Sequence, residues 1–308
     1  MTDTITDYRR YLDPRTLARV GSLELRARLV VEGLMTGMHR SPYQGISVEF
    51  AQHRPYATGD DIRHVDWKVY TRTEKVYLKQ YQQETNLNLI CVVDASESMG
   101  FGTVKGDKSA TWTKYDHATA IAASLSYMAI QQQDSVGLAI FDQALSRYFK
   151  PSNSPGQWKI VINELQQVPR WNKTNTGKIL DQIAEKLNHR SLIVLISDFF
   201  DDLDSIRSGL RHLRYKKHEI MVMQVMDPAE LEFPFEDVTL FKGLEETGEL
   251  LTEPRALREG YLQQLREFTD ELKKTCRGMQ IDFQRFSSGD SLDVALSQFL
   301  ATRAASMK

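Results

Sequence analysis

The amino-acid sequence predicts an α/β protein built on a doubly wound, mostly parallel sheet with helices on both faces. Three runs, "LICVV", "SLIVLIS" and "EIMVMQVM", are apolar without alternation, as is typical of strands buried on both faces. Segments with helical periodicity separate these runs along the chain. The 308 residues are 41% hydrophobic and 26% charged, which is close to the average for soluble globular proteins and sufficient for a large core.

The amino-terminal part of the chain differs from the rest in composition and in its pattern of apolar residues. Residues 13–37, "DPRTLARVGSLELRARLVVEGLMTG", have helical spacing, whereas residues 38–84 are rich in Tyr, Arg, His and turn residues. Within the latter, "KVYLKQY" alternates like a half-exposed strand. We therefore predict two domains: residues 1–87, a helix with a small, partly β appendage, and residues 88–308, the α/β domain with its carboxyl-terminal extension.

From residue 88 the predicted elements alternate regularly. The strand "LICVV" precedes a helix over residues 115–132, whose start "TKYD" has the spacing of a capping box. The order then predicted is strands "SVGLAIF" and "LSRYFK", helices over 157–167 and 177–187, strand "SLIVLIS", a helix over 203–217 and strand "EIMVMQVM". The tail adds a hairpin, "VTLFKGLEETGELLTE", a helix over 256–277, the strand "IDFQRF" and a closing helix, "SLDVALSQFLATR".

Charge and hydropathy exclude several classes of partner. A formal charge of −2 and a pI near 6.4 give no global attraction to nucleic acid or to an anionic membrane. The opening "MTDTITDYRRYLDP" is polar and acidic where a signal peptide needs a basic flank and an apolar stretch. No apolar run approaches the roughly 18 to 20 residues of a membrane span. We therefore expect a cytoplasmic protein without a membrane span that binds no nucleic acid.

Acidic residues follow two of the apolar strands. Asp94 ends "LICVVD" and is followed by Ser96 and Ser98, and Asp198 comes directly after "SLIVLIS". Ligands of open α/β sheets bind outside the carboxyl ends of the strands. A single Asp at a strand end is often the cap of the next helix. Two such residues with serines beside one of them favour a joint site.

Three enzyme classes fit these residues poorly. A Walker A loop lies directly between strand and helix, whereas "GTVKGDKS" puts Asp107 between Gly106 and Lys108 and lies well past the strand end. A hydrolase nucleophile would stand in G-x-S-x-G, but Ser96 is flanked at those positions by Asp94 and Ser98. A phosphoryl-transfer site with an aspartyl nucleophile would need a second acid where the chain has Ser96.

A metal site fits these residues better. Magnesium takes oxygen ligands in octahedral geometry, keeps several waters and is held by one or two carboxylates. Two serines spaced by two residues can turn their hydroxyls toward one point while Asp94 supplies charge. The loop "KTNTGKIL", residues 173–180, and "SDFFDD", residues 197–202, offer one more hydroxyl and a second acid.

These three motifs together resemble the metal-ion-dependent adhesion site of von Willebrand factor type A domains. The resemblance covers roughly residues 88–226 and carries D-x-S-x-S, a T-N-T-G loop and a strand ending in S-D in the same order. It implies a divalent cation such as Mg²⁺, with the acids often acting through water and Thr176 as a neighbour in the loop. The implied ligand set is Asp94, Ser96, Ser98, Thr174 and Asp198.

Residues 41–84 are similar to the signature block of the bacterial domain-of-unknown-function family numbered fifty-eight, with E-F, R-x-Y, G-D-D and D-W in order. Many members carry two amino-terminal membrane helices, which we do not expect in this protein. The resemblance implies a MoxR-type AAA+ ATPase partner, a client protein, or both, in chaperone-like maturation or assembly. Arg54, Asp60, Arg63 and Trp67 serve either internal packing or a partner surface. We expect Trp67 to be buried against the α/β core.

Two functions are compatible with a cation at this position. The first is a non-enzymatic protein-binding module, in which the cation accepts a carboxylate from a partner. The alternative is a metal-dependent hydrolase that uses the cation to activate water. We expect the binding module, because no histidine or free acid has spacing that marks it as a general base. In addition, a hydroxyl-rich ligand set is weakly charged and suits accepting a carboxylate.

Overall fold

The computed structural model describes residues 13–38, 53–55, 76–79, 87–105, 111–167, 176–237, 239–242, 249–292 and 296–297. The chain divides into two compact units. The smaller unit is Ser41–Asn86, and the larger unit comprises Met1–Arg40 and Leu87–Lys308. In the smaller unit, strands β1 (His53–Pro55) and β2 (Tyr77–Lys79) pair antiparallel.

A six-stranded sheet forms the centre of the larger unit. Its strands are β3 (Asn88–Asp94), β6 (Ser135–Phe141), β7 (Leu145–Ser152), β8 (Leu192–Ser197), β9 (Glu219–Met226) and β12 (Asp282–Ser287). They are ordered β12-β9-β8-β3-β6-β7, and all neighbours are parallel except β7, which runs antiparallel to β6 at one edge. The predicted doubly wound, mostly parallel sheet is confirmed. Two small antiparallel pairs join β4 (Val104–Lys105) to β5 (Thr111–Trp112), and β10 (Thr239–Lys242) to β11 (Glu249–Thr252).

Helices cover both faces of this sheet. They are α1 (Pro14–Leu17), α2 (Leu23–Met38), α3 (Lys114–Gln131), α4 (Gln157–Leu165), α5 (Thr176–Lys186), α6 (Leu203–Tyr215), α7 (Pro228–Glu232) and α8 (Pro254–Gly278). Alternate residues of β3 point to opposite faces. Leu89, Cys91 and Val93 pack with α2, α3 and α4, while Ile90 and Val92 pack with α5, α6 and α8. Both faces are apolar, which explains why "LICVV" shows no alternation.

The amino-terminal helix differs from its prediction. Residues 13–37 form two helices, because the helical hydrogen bonds of α1 end at the Ala18 N–H and those of α2 begin at the Ser22 carbonyl. Arg26 secures the bend by donating from Nε to the Val20 carbonyl at 2.6 Å. Helix α2 packs against α3 in the larger unit, while the predicted domain boundary at residue 87 stays a prediction.

Several predictions concern other parts of the chain. The tail hairpin is confirmed by the pairing of β10 with β11. Trp67 and most of the 41–84 block lie outside the described residues, as does most of the closing helix after residue 292. Within the described ranges, no helix combines the length and the apolar character that crossing a membrane requires.

Candidate metal centre

Asp94 is the last residue of the central strand β3 and lies at the carboxyl edge of the sheet. Its side chain is fully buried. Its Oδ1 accepts a hydrogen bond from the Ser96 backbone N–H at 2.8 Å, and its Oδ2 accepts one from the Ser197 hydroxyl at 2.5 Å. Because β8 is parallel to β3, Ser197 at the end of β8 reaches the same edge. The parallel pairing of two strands therefore joins the first and last motifs of the predicted site.

The two serines of D-x-S-x-S turn their hydroxyls toward each other. A 3₁₀ turn over Glu97–Gly100 follows Ser96, and it brings Ser96 Oγ within 3.0 Å of Ser98 Oγ. Thr174 lies outside the described residues. Thr176, two residues further on, begins α5 with a buried side chain, and its backbone N–H donates to Asp201 Oδ2 at 2.6 Å.

Asp198 follows β8 and sits in a sharply turned backbone. The next residue, Phe199, is buried and has φ of 60°, a left-handed conformation that is uncommon for a bulky side chain. The turn lets the Phe200 N–H donate to Asp198 Oδ1 at 3.2 Å, while Gln224 on β9 donates to the Asp198 carbonyl at 3.0 Å. The carboxylate of Asp198 is thus fixed beside Asp94, whose pKa its charge perturbs.

A buried lysine, absent from the predicted site, contacts Asp198. Lys114 is the first residue of α3 and is fully buried. Its Nζ donates to Asp198 Oδ2 at 2.8 Å and to Glu230 Oε1 at 2.6 Å. Burial alone lowers the pKa of a lysine, but the two carboxylates outweigh this effect and place the pKa of Lys114 above its ordinary value. Lys114 therefore remains an ammonium inside the protein.

Glu230 links this ion pair to the far side of the carboxyl edge. It is the third residue of α7, and its other oxygen accepts from the Asp227 backbone N–H at 2.8 Å, completing a capping box. The buried Asp227 carboxylate accepts from the Thr103 backbone N–H at 2.9 Å and from Ser288 Oγ at 3.1 Å. A continuous polar network thus runs from Asp198 to the loops after the 3₁₀ turn and after β12.

The electrostatics of Asp94 differ from those of Asp198. Burial, and next the charge of Asp198, raise the pKa of the Asp94 carboxyl from 3.8 to about 7, although hydrogen bonds from Ser197 and Ser96 act in the opposite direction. The described donors to Asp94 are the hydroxyls of Ser197 and Ser96 and the Ser96 backbone N–H, all of them neutral. The negative charge of Asp94 is therefore poorly compensated by the described residues.

These residues fit a hard divalent cation. Asp94, Ser96 and Ser98 present oxygen donors at one point, and Mg²⁺ prefers oxygen ligands with few carboxylates. A cation there would supply the positive charge that the surroundings of Asp94 lack. Among the described residues, no group of three or more His, Cys, Asp or Glu side chains could hold a metal ion. An ion at Asp94 would accordingly depend on the serine hydroxyls.

Sequence reasoning missed Lys114, Glu230, Asp227 and the hydroxyl of Ser197 as parts of this network. One signal was present for Lys114, since a helix start favours acidic side chains and disfavours a lysine in the first turn. For Asp227 and Glu230 the signal was the run D-P-A-E, which has a capping Asp, Pro at the first helical position and Glu at the third.

The sheet order, the antiparallel edge strand and the D-x-S-x-S turn at the carboxyl edge together define a doubly wound α/β protein with a polar cluster at that edge. The chain belongs to the DUF58 family, described as a protein of unknown function, whose family profile matches residues 52–271.

An uncharacterized mycobacterial protein and several solved structures are similar to this chain. The uncharacterized protein Rv1480 of Mycobacterium tuberculosis is 28% identical over 273 residues, covering 86% of this chain and 83% of the relative. Among solved structures, the conserved hypothetical protein BatB from Bacteroides thetaiotaomicron aligns with a TM-score of 0.45 and 17% identity, over 71% of this chain and 99% of that one. The SpRpn10 VWA domain aligns with a TM-score of 0.39 and 14% identity, over 69% of this chain and 94% of that one.

Proposed function

We propose that this protein is a non-enzymatic, divalent-cation-dependent protein-binding module. The observation that carries the proposal is the convergence of the Ser96 and Ser98 hydroxyls, 3.0 Å apart, beside the buried and poorly compensated carboxylate of Asp94. Mg²⁺ at this point would supply an open coordination position for an oxygen ligand. A carboxylate from another protein fits that position, because the site offers two acids and several neutral hydroxyls to a dication.

We further propose that the partner is a MoxR-type AAA+ ATPase, a client protein of that ATPase, or both, in chaperone-like maturation or assembly of other proteins in the cytoplasm. The block in residues 41–84 supports this choice, because the family whose signature it resembles is commonly linked to such ATPases. Thr174 and Asp198 complete the proposed ligand set with Asp94, Ser96 and Ser98.

The direct test measures binding between the purified chain and a purified MoxR-type ATPase encoded by the same genome. With Mg²⁺ present, Asp94→Ala should weaken binding at least about tenfold, the scale of one lost charge contact. EDTA should weaken binding by the wild type and add nothing in the variant. Asp204→Ala is the matched control, because Asp204 is an exposed acid on α6 that pairs with Arg207.

Two outcomes would contradict the proposal. If binding is indifferent to both EDTA and Asp94→Ala, the partner surface must be sought around Arg54, Asp60 and Arg63. If the chain instead hydrolyses a nitrophenyl phosphate or ester in a reaction that needs the cation and is abolished by Asp94→Ala, the protein is a hydrolase.

A further inference from the structure

Lys114 is an unusual neighbour for a cation site. It is an ammonium with no exposed side-chain surface, and it lies 2.8 Å from Asp198, one of the two acids of the candidate metal centre. A buried lysine is rare unless it is paired, and burying the pair costs free energy that a purely structural contact often fails to recover. Apolar residues of similar size could fill the same space. The position of Lys114 therefore calls for a role beyond packing.

Acidic side chains outnumber basic ones around the site. Asp94, Asp198 and Glu230 are three carboxylates, and Lys114 is the ammonium between the last two. With all three carboxyls ionised, these four groups would carry two net negative charges, which one Mg²⁺ would neutralise. Without Lys114 the same cation would leave the site negative and would repel a further carboxylate.

Lys114 also limits what Asp198 can offer to a cation. Its Nζ holds Asp198 Oδ2, and the Phe200 N–H lies 3.2 Å from Oδ1. Both oxygens of Asp198 are thus engaged by donors of this chain, whereas the described donors to Asp94 are neutral. The buried ammonium thereby weakens the hold of the protein on the cation and leaves the cation with more positive character toward a ligand from outside.

We propose that Lys114 is a specificity-determining positioning residue, a fixed internal cation that makes the metal centre select an anionic ligand, the carboxylate of an Asp or Glu side chain on a protein partner. This inference rests on the proposed function and adds the residue of this chain that sets the preference for an anionic ligand. It predicts that changes in the charge around Asp198 shift cation affinity and carboxylate affinity in opposite directions.

A series of three variants separates charge from structure. Lys114→Met removes the ammonium, Glu230→Gln removes one carboxylate while keeping the Lys114–Asp198 contact, and the double variant removes both charges and restores the net charge of the wild type. Glu219→Gln is the matched control, because Glu219 pairs with Arg190 at the opposite, amino-terminal edge of the sheet. Every protein in the series is measured at pH 8.

Mn²⁺ serves as the probe cation, because it shares the preference of Mg²⁺ for oxygen ligands. Free Mn²⁺ measured by electron paramagnetic resonance gives cation affinity. Water-proton relaxation of the bound ion then reports displacement of its water by N-acetyl-aspartyl methylamide, with the asparaginyl compound as the neutral control.

We expect Lys114→Met to bind Mn²⁺ about tenfold more tightly than wild type and the aspartyl probe about tenfold more weakly. Glu230→Gln should show both changes with reversed sign. The double variant and Glu219→Gln should resemble wild type, and the asparaginyl probe should displace no water from any of them.

Each result decides a separate claim. If both single variants bind Mn²⁺ more weakly and also bind the aspartyl probe more weakly, Lys114 is a structural residue and this inference is overturned. Mn²⁺ binding by the wild type would still support the cation site. If the wild type binds no Mn²⁺, the proposed function fails as well. Lys114→Met could fail to fold, because it leaves Asp198 and Glu230 unpaired. Glu230→Gln and the double variant would then still show whether Mn²⁺ affinity and probe affinity change in opposite directions or fall together.

Discussion

At the residue scale, Asp94 and Asp198 are two carboxylates with different partners. Asp198 is held by the ammonium of Lys114, whereas the described donors to Asp94 are neutral. Both side chains are buried, so that nearby charges act in a medium that screens them poorly. The two carboxylates are both held by hydrogen bonds and differ in the charge of their donors, which include an ammonium for Asp198 and are neutral for Asp94.

A third buried polar residue lies near the start of α3 and controls acid stability. His117 is buried, and its Nδ1 accepts a hydrogen bond from Trp112 Nε1 at 3.4 Å. Burial lowers the pKa of His117 from 6.5 to about 3. Between these values the unfolded chain binds a proton that the folded chain does not. The stability contributed by the neutral ring is therefore complete above about pH 6.5 and is lost as pH falls toward 3.

His117→Asn tests this linkage. At pH 5 the protonation of His117 in the unfolded chain costs the wild type about 2 kcal/mol relative to neutral pH, and the variant lacks that cost. Urea unfolding at pH 7.5 and 5 should thus show a smaller loss of stability in the variant, whatever its stability at pH 7.5. The exposed His189→Asn is the control. An unchanged pH dependence in His117→Asn would show that His117 titrates normally.

At the element scale, the glycine of the T-N-T-G loop sets how closely α5 and α6 approach. A Cβ on Gly177 would contact Ser205 Oγ and would lie 2.5 Å from the Ser205 carbonyl oxygen. On the facing helix, a Cβ on Gly209 would lie 2.6 Å from Leu180 Cβ. The two helices therefore pack with their backbones in near contact close to the start of α5.

Gly177→Ala should destabilise the protein by about 1 to 3 kcal/mol, because the added methyl must push Ser205 and its helix away. Gly260→Ala in α8 is the matched control, since its Cβ would meet nothing within 4 Å and alanine favours a helix. Guanidinium unfolding should show a lower free energy of unfolding for Gly177→Ala and a rise of up to about 1 kcal/mol for Gly260→Ala. Equal effects in the two variants would refute close packing of α5 and α6.

At the scale of the whole molecule, the carboxyl edge of the sheet is tied together by polar contacts between distant parts of the chain. Ser197 joins β8 to β3, Lys114 joins α3 to β8, and Asp227 joins α7 to the loops at Thr103 and Ser288. The candidate metal centre is therefore one end of a network that spans the edge from the central strand to β12.

Much of this arrangement follows from the sequence. Unbroken apolar runs predict strands buried on both faces, and parallel strands bring Asp94 and Ser197 to one edge. Lys114 and Glu230 could not be predicted to meet, because their contact depends on how α3 and α7 pack, 116 residues apart in the chain. The break between α1 and α2 was missed because helical spacing continues across it. The ligand set itself stays a prediction.

The most direct measurement of the central claim is a crystal structure of the protein with saturating Mn²⁺, with the ion located by its anomalous scattering. We predict one strong anomalous peak at the carboxyl edge of the sheet, within about 2.0 to 2.3 Å of the hydroxyl oxygens of Ser96 and Ser98. Thr174 should be a further ligand, and Asp94 and Asp198 should contact the ion directly or through water. A well-ordered site without a peak at saturating Mn²⁺, or a peak elsewhere in the molecule, would contradict the account.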